Sequence, residues 1–200
     1  MKPQNLSSAD VLQRLLQRIA SRDVDTEIYV LKCHLVVERH MYWLLAQRLE
    51  IDESLLPSLQ YFSLAKLALG GEPYKSVLVG VLALNDLRNE FSHELDADQL
   101  ERKCVTFCEK VGVFCPEPVY GVNSAALRDA CDTSVKLAAF TCIVRTWVHI
   151  AELSLAKNLY ASEEEAELAR AALEVCKKQT EHMTAQQNAA RETWRDFPKS

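Results

Sequence analysis

The stretch Leu84-Asn85-Asp86-Leu87-Arg88-Asn89-Glu90-Phe91-Ser92-His93 governs the reading of this chain. Within it and just beyond, Leu84, Leu87, Phe91 and Leu95 recur at steps of three and four, the period of one helical face. Beside that apolar line runs a polar one. Asn85, Asn89 and His93 are four apart and stack along a helix, and Asp86 is expected close to the same line. Arg88 has a side chain long enough to lie alongside His93. One helix is thus predicted to turn two amides, a carboxylate, a guanidinium and an imidazole toward a common groove.

Those groups suit phosphodiester chemistry without a metal. A guanidinium fork binds a phosphate through paired hydrogen bonds and holds charge that grows in the transition state. An imidazole that titrates near neutrality can take a proton from a ribose 2′-OH or give one to the leaving oxygen. Asn89 is suited to fixing the imidazole or a phosphate oxygen.

Outward from this segment the chain reads as helix after helix. Gly and Pro number only five and six in 200 residues, and Ala, Leu, Glu, Lys and Gln are plentiful. A first helix is predicted near Ser7-Ser8, with Val11, Leu12, Leu15, Leu16 and Ile19 on one face. Asp25 opens a longer one to about Glu50, whose predicted core stripe is Ile28, Leu31, Leu35, Glu38, Tyr42, Leu45 and Leu49. Glu38 stands there where the pattern asks for an apolar side chain. A third helix spans about Leu59 to Leu69, stopped by Gly70-Gly71 in a left-handed turn. Pro73 suits the first turn of the motif helix, expected to run to about Leu95.

Asp96 with Gln99 resembles an N-cap and its reciprocal partner, starting a helix to about Val111. The clear loop is Gly112 to Asn123. Ser124 to Leu159 reads as one long helix, and Ser162 caps a last, polar one toward Trp194. No segment alternates with period two, so no sheet is expected. The predicted organisation is an all-α helical bundle over residues 1–160, with a four- to five-helix core, and a C-terminal helical extension of the same domain over 161–200.

A net charge of −5 argues against a protein that coats nucleic acid through many Lys and Arg, but leaves room for a nuclease with a few basic groups in one cleft. The longest apolar run, Val77 to Leu84, is too short to span a bilayer, and Met1-Lys2-Pro3-Gln4-Asn5 has no apolar core behind its Lys. A cytoplasmic protein without membrane contact is expected. Seven Cys without a framework fit reducing surroundings, where a thiol packs as a small hydrophobe. Cys104, Cys108 and Cys115 are the densest group, but lack a CxxC knuckle or a nearby His, so no metal is assigned. His34, His40 and His149 read as packing residues. No Gly-rich phosphate loop or hydrolase motif is present, so no cofactor is expected.

The pair Arg88-Asn89…His93 resembles the defining motif of the HEPN superfamily, an Arg followed by a polar residue and then by a His at a spacing of four to six. The Leu-Asn-Asp-Leu lead-in and the segment Tyr61 to Gly70 are similar to a HEPN-like branch that contains the mannitol operon repressor proteins. The likeness covers about Asp25 to Val111. It implies a homodimeric, metal-independent endoribonuclease, a toxin or defence protein, in which Arg88, Asn89 and His93 of both chains line one cleft. Glu38, on an earlier antiparallel helix, would partner Arg88 or His93, with Asn85 and Asp86 in support; the alternative for Glu38 is a place at the stripe's edge, where it reaches water. A toxin of this kind would have an antitoxin as partner. The other implied reading is a non-enzymatic regulator that works by binding another protein, with Arg88, His93 and Glu38 forming a buried structural network. Leu95 stands where many toxin-type members carry a Tyr, which sets this chain apart from the branch modified there.

Overall fold

Asp25 caps the first described helix by accepting a hydrogen bond from the Glu27 backbone N–H at 2.8 Å. The computed structural model describes residues 25–71, 74–92, 97–116 and 125–195. Among these it holds six α-helices and no strand: α1 Thr26–Leu49, α2 Tyr61–Leu69, α3 Lys75–Phe91, α4 Ala97–Val111, α5 Ala125–Ala156 and α6 Glu163–Arg195. A short 3₁₀ turn, Glu53–Leu55, links α1 toward α2. The protein is an all-α helical bundle. The helix predicted near Ser7-Ser8 lies outside the described residues, as do Pro73, His93, Leu95 and Asp96.

The longest contact in the bundle is α1 against α5, and α1 also packs on α2 and α3. α4 closes the other side by lying on α3 and α5. The α1 face turned inward is Val30, Cys33, Val37, Met41 and Leu44, each almost wholly buried. Against it stand Val135, Ala138, Ala139, Cys142 and Ile143 of α5, mostly small side chains that let two long helices lie close.

This differs from the predicted stripe on α1. Ile28, Leu31, Leu35 and Leu49 are exposed, Glu38 and Tyr42 are half-buried, and only Leu45 of that set is in the core. α1 has apolar residues at two phases of its period, so spacing alone does not choose between them. The chemistry does. The predicted stripe contains a carboxylate, whose transfer from water is costly without a partner. The other stripe, from Val30 to Leu44, is apolar throughout, and α1 turns that one inward.

Helix ends follow local rules with one exception. Gly112 has φ +84°, its N–H donates to Glu109 O at 3.0 Å, and Val113 N–H donates to Cys108 O at 2.8 Å. That pairing closes α4 with a left-handed glycine. Gly70, by contrast, has φ −73° and is right-handed, contrary to the predicted turn. It is glycine because a Cβ there would collide with the Lys66 carbonyl oxygen. Ser162 Oγ accepts from Glu165 N–H at 3.2 Å, and Glu165 Oε2 accepts from Ala161 N–H at 3.0 Å, which starts α6.

α6 packs through Ala166, Ala169 and Leu173, the last joined with Trp147 and Ala151 of α5 in a small second core. From Lys177 on, every side chain of α6 that is described is exposed.

The choice of stripe on α1 is directly testable by paired truncations. Leu44→Ala is expected to cost about 2–5 kcal/mol of folding stability, and Leu35→Ala to stay within about 0.5 kcal/mol, read as shifts in urea midpoint. Equal losses would mean that the predicted stripe faces the core after all.

Candidate functional site

α1 and α3 run antiparallel. The Arg48 guanidinium, at the end of α1, lies over the Tyr74 ring at 4.4 Å, just before α3 begins. Toward the other end of both helices, His34 of α1 meets Asn85 of α3. This second contact is the centre of the polar cluster.

The His34 ring is buried, and its Nε2 lies 3.1 Å from Asn85 Oδ1. It stacks on Tyr61 of α2, with ring centroids 4.1 Å apart and planes 19° from parallel. Three helices therefore meet at one imidazole. Burial lowers the His34 pKa; the Asn85 hydrogen bond and the Glu38 charge oppose this, and the Arg88 charge adds to it. The ring is neutral at pH 7. With Asn85 Oδ1 as acceptor, Nε2 carries the proton, and Nδ1 is a buried acceptor with no hydrogen-bond partner among the described residues. Burial also raises the Tyr61 phenol well above its ordinary range, and Glu38 contributes through its charge.

Arg88 is half-buried in the last turn of α3, a position where a cation complements the helix dipole. Its Nη1 donates to Asn89 Oδ1 at 3.0 Å. Among the described residues no carboxylate lies within 4.0 Å of it. The expected Glu38–Arg88 ion pair is therefore not formed, although both charges are felt at His34. Glu38 stands on the flank of α1, half-buried, because the helix has turned its other stripe inward.

The predicted polar line on α3 divides in two. Asn85, Arg88 and Asn89 form one side. Asp86 is exposed on the other, toward α4, where Glu90 pairs with Lys103 at 2.8 Å and the Asp86 charge also acts on Lys103. The seven-residue step from Asp86 to His93 spans nearly two turns, but Asp86 is one residue, about 100°, round the helix from Asn85. α3 ends at Phe91, short of the predicted Leu95, with Ser92 N–H donating to Asn89 O at 3.0 Å. His93 lies outside the described residues.

His34 is the member of this cluster that spacing did not single out. Its signal was its place one turn before Glu38, on the flank between the two stripes of α1. His40 and His149 pack, as read from sequence. His40 Nδ1 lies 2.9 Å from Thr146 Oγ1; that hydroxyl donates to the Cys142 and Ile143 carbonyls, so the imidazole N–H is the donor. His149 stands edge-on to Tyr74 with centroids 4.4 Å apart and its Nδ1 3.3 Å from Glu152. A cavity of about 590 Å³ lies near His149, with Val77, Val144, Arg145, Val148 and Lys177 in its wall. It is lined from the opening turn of α3, not from the Arg88 end.

No protein-family model, no curated protein and no solved structure matches this chain.

The buried imidazoles make stability depend on acid. Burial pushes His40 down to about 4, and His34 and His149 are lowered in the same direction by the same cause. A histidine with a depressed folded pKa binds fewer protons folded than unfolded. Its contribution is complete above the unfolded value near 6.5 and is lost as pH falls from there toward about 4. For His40 the loss is roughly 3 kcal/mol across that window. Urea midpoints near pH 7 and near pH 4.5 are expected to differ less in His40→Gln than in the wild type. An unchanged difference would remove His40 as the cause.

Proposed function

We propose that this chain is a metal-independent endoribonuclease of the HEPN kind, working as a homodimer on RNA in the cytoplasm. The observation that carries this reading is Arg88: a guanidinium braced by Asn89 and without a carboxylate partner among the described residues. A guanidinium not already neutralised is suited to a phosphate, which it binds as a fork. In this reading Arg88 neutralises the charge on the phosphorane and Asn89 orients the fork. His93, five residues beyond Arg88, moves the protons. The 2′-OH attacks the adjacent phosphate, the 5′ oxygen leaves with a proton, and a 2′,3′-cyclic phosphate end results. Two chains would bring a doubled Arg/His set to one cleft, which offsets the acidic balance of −5 locally. Such a protein would act as a toxin or in defence, with an antitoxin as its natural partner.

A second reading has its own support. The buried contact of His34 with Asn85 and Tyr61 ties three helices together, as a register-setting network would. In that case the chain is a regulator similar to the mannitol operon repressor proteins and acts by binding another protein.

Total RNA incubated in EDTA with wild type, Arg88→Ala and His93→Ala separates them. Cleavage that survives EDTA and is lost in both variants is the expected result, with losses on the order of 10²-fold or more for each. Intact RNA with wild type, together with a melting temperature lowered in His93→Ala, supports the regulator instead.

A further inference from the structure

Four of the seven cysteines gather at one place between α4 and α5. Cys104 and Cys108 are one turn apart on α4, Cys115 follows in the coil after Gly112, and Cys131 stands early in α5. Cys115 Sγ and Cys131 Sγ are 3.3 Å apart. Cys115 is buried, whereas Cys131 is partly open to solvent. The remaining two thiols flank the pair, Cys104 against Cys131 and Cys108 against Cys115.

The thiols touch in sequence, Cys104 with Cys131, Cys131 with Cys115 and Cys115 with Cys108, and Cys104 and Cys108 are neighbours on α4. Among the described residues no group of three or more Cys, His, Asp or Glu is placed to hold a metal ion. A tetrahedral thiolate centre asks for four sulfurs at similar mutual distances. The Cys115–Cys131 pair sets one sulfur that an oxidant can reach against a buried one behind it.

We propose that Cys131 and Cys115 are a peroxide-reactive dithiol, in which Cys131 is oxidised by a hydroperoxide and Cys115 resolves it to a disulfide. In the first step the Cys131 thiolate attacks the terminal oxygen of the hydroperoxide. An S–O bond forms, the O–O bond breaks, and the alcohol (or water, from hydrogen peroxide) leaves after taking up a proton. Cys131 is then a sulfenic acid. In the second step the Cys115 sulfur attacks the Cys131 sulfur. The S–S bond forms, the S–O bond breaks, and the hydroxide leaves as water with the Cys115 proton. Two thiols are oxidised by two electrons and one hydroperoxide is reduced.

The surroundings suit both roles. Thiol hydrogen bonds from Cys104 and Cys115 hold Cys131 well below the ordinary thiol range, while Cys115 is raised by its hydrogen bonds to Cys108 and Cys131 and by burial. Closing the pair from 3.3 Å to the bond length of about 2.05 Å needs a small approach, and Cys115 lies in coil, where the backbone has no helical ladder to break. The disulfide would tie the coil after α4 to α5 and close the chain between them into a covalent loop.

Reduced full-length protein exposed to equimolar hydrogen peroxide, then alkylated, digested and weighed, tests this. The expected result is the loss of two of the seven free thiols, with the peptides of Cys115 and Cys131 joined. In Cys115→Ser, dimedone is expected to label Cys131 and to leave the remaining thiols unlabelled. Seven thiols still free, a different joined pair, or dimedone on another cysteine would each overturn the proposal. So would stoichiometric binding of zinc alone that shields all four thiols from alkylation.

Discussion

A carboxylate is not taken out of water without something to hold it, and Glu38 sets the rotation of α1 for that reason. With apolar residues at two phases, this helix had two faces to offer the core. The one bearing Glu38 stays at the flank, and the one from Val30 to Leu44 meets α5. Everything on α1 is placed by that choice. His34 comes to the edge of the core, within reach of α2 and α3, and Arg48 comes over Tyr74. A rotation that buried Ile28, Leu31 and Leu35 would have carried the imidazole away from both neighbours.

The polar cluster follows from the same geometry. Asn85 is committed to the bundle through His34, whereas among the described residues the Arg88 and Asn89 side chains hydrogen-bond each other. Asp86 and Glu90 belong to a separate, exposed face with Lys103. One short helix thus carries architecture, an uncommitted cation and a solvated ion pair on successive sides. The buried imidazole costs stability in acid because its neighbours are too weak a counterweight to desolvation.

Much of the fold was legible in the sequence because helix boundaries are written in local chemistry. Asp25, Ser162 and Gly112 act where their side chains or lack of one predict. Gly70 misled because glycine has two uses, a left-handed turn and close backbone approach, and residue type does not tell them apart. The α1 stripe misled because periodicity reports a phase only when one phase is polar. Of the candidate site, Arg88 and Asn89 are adjacent in space as in sequence, but Asp86 turned away, and the residues at long range were unreadable. The His34–Asn85 contact spans 51 positions and the Cys115–Cys131 contact 16, separations that no local rule encodes.

The last helix has two regimes within a single hydrogen-bonded ladder. Its first turns are clamped by Ala166, Ala169 and Leu173, while beyond Cys176 the side chains whose burial is described are exposed. A solitary helix of this polarity gains little from packing and relies on intrinsic propensity and neighbouring charges. Deuterium uptake is therefore expected to be graded along α6, with slow amides near Leu173 and faster ones toward Arg191, although the helix runs unbroken between them.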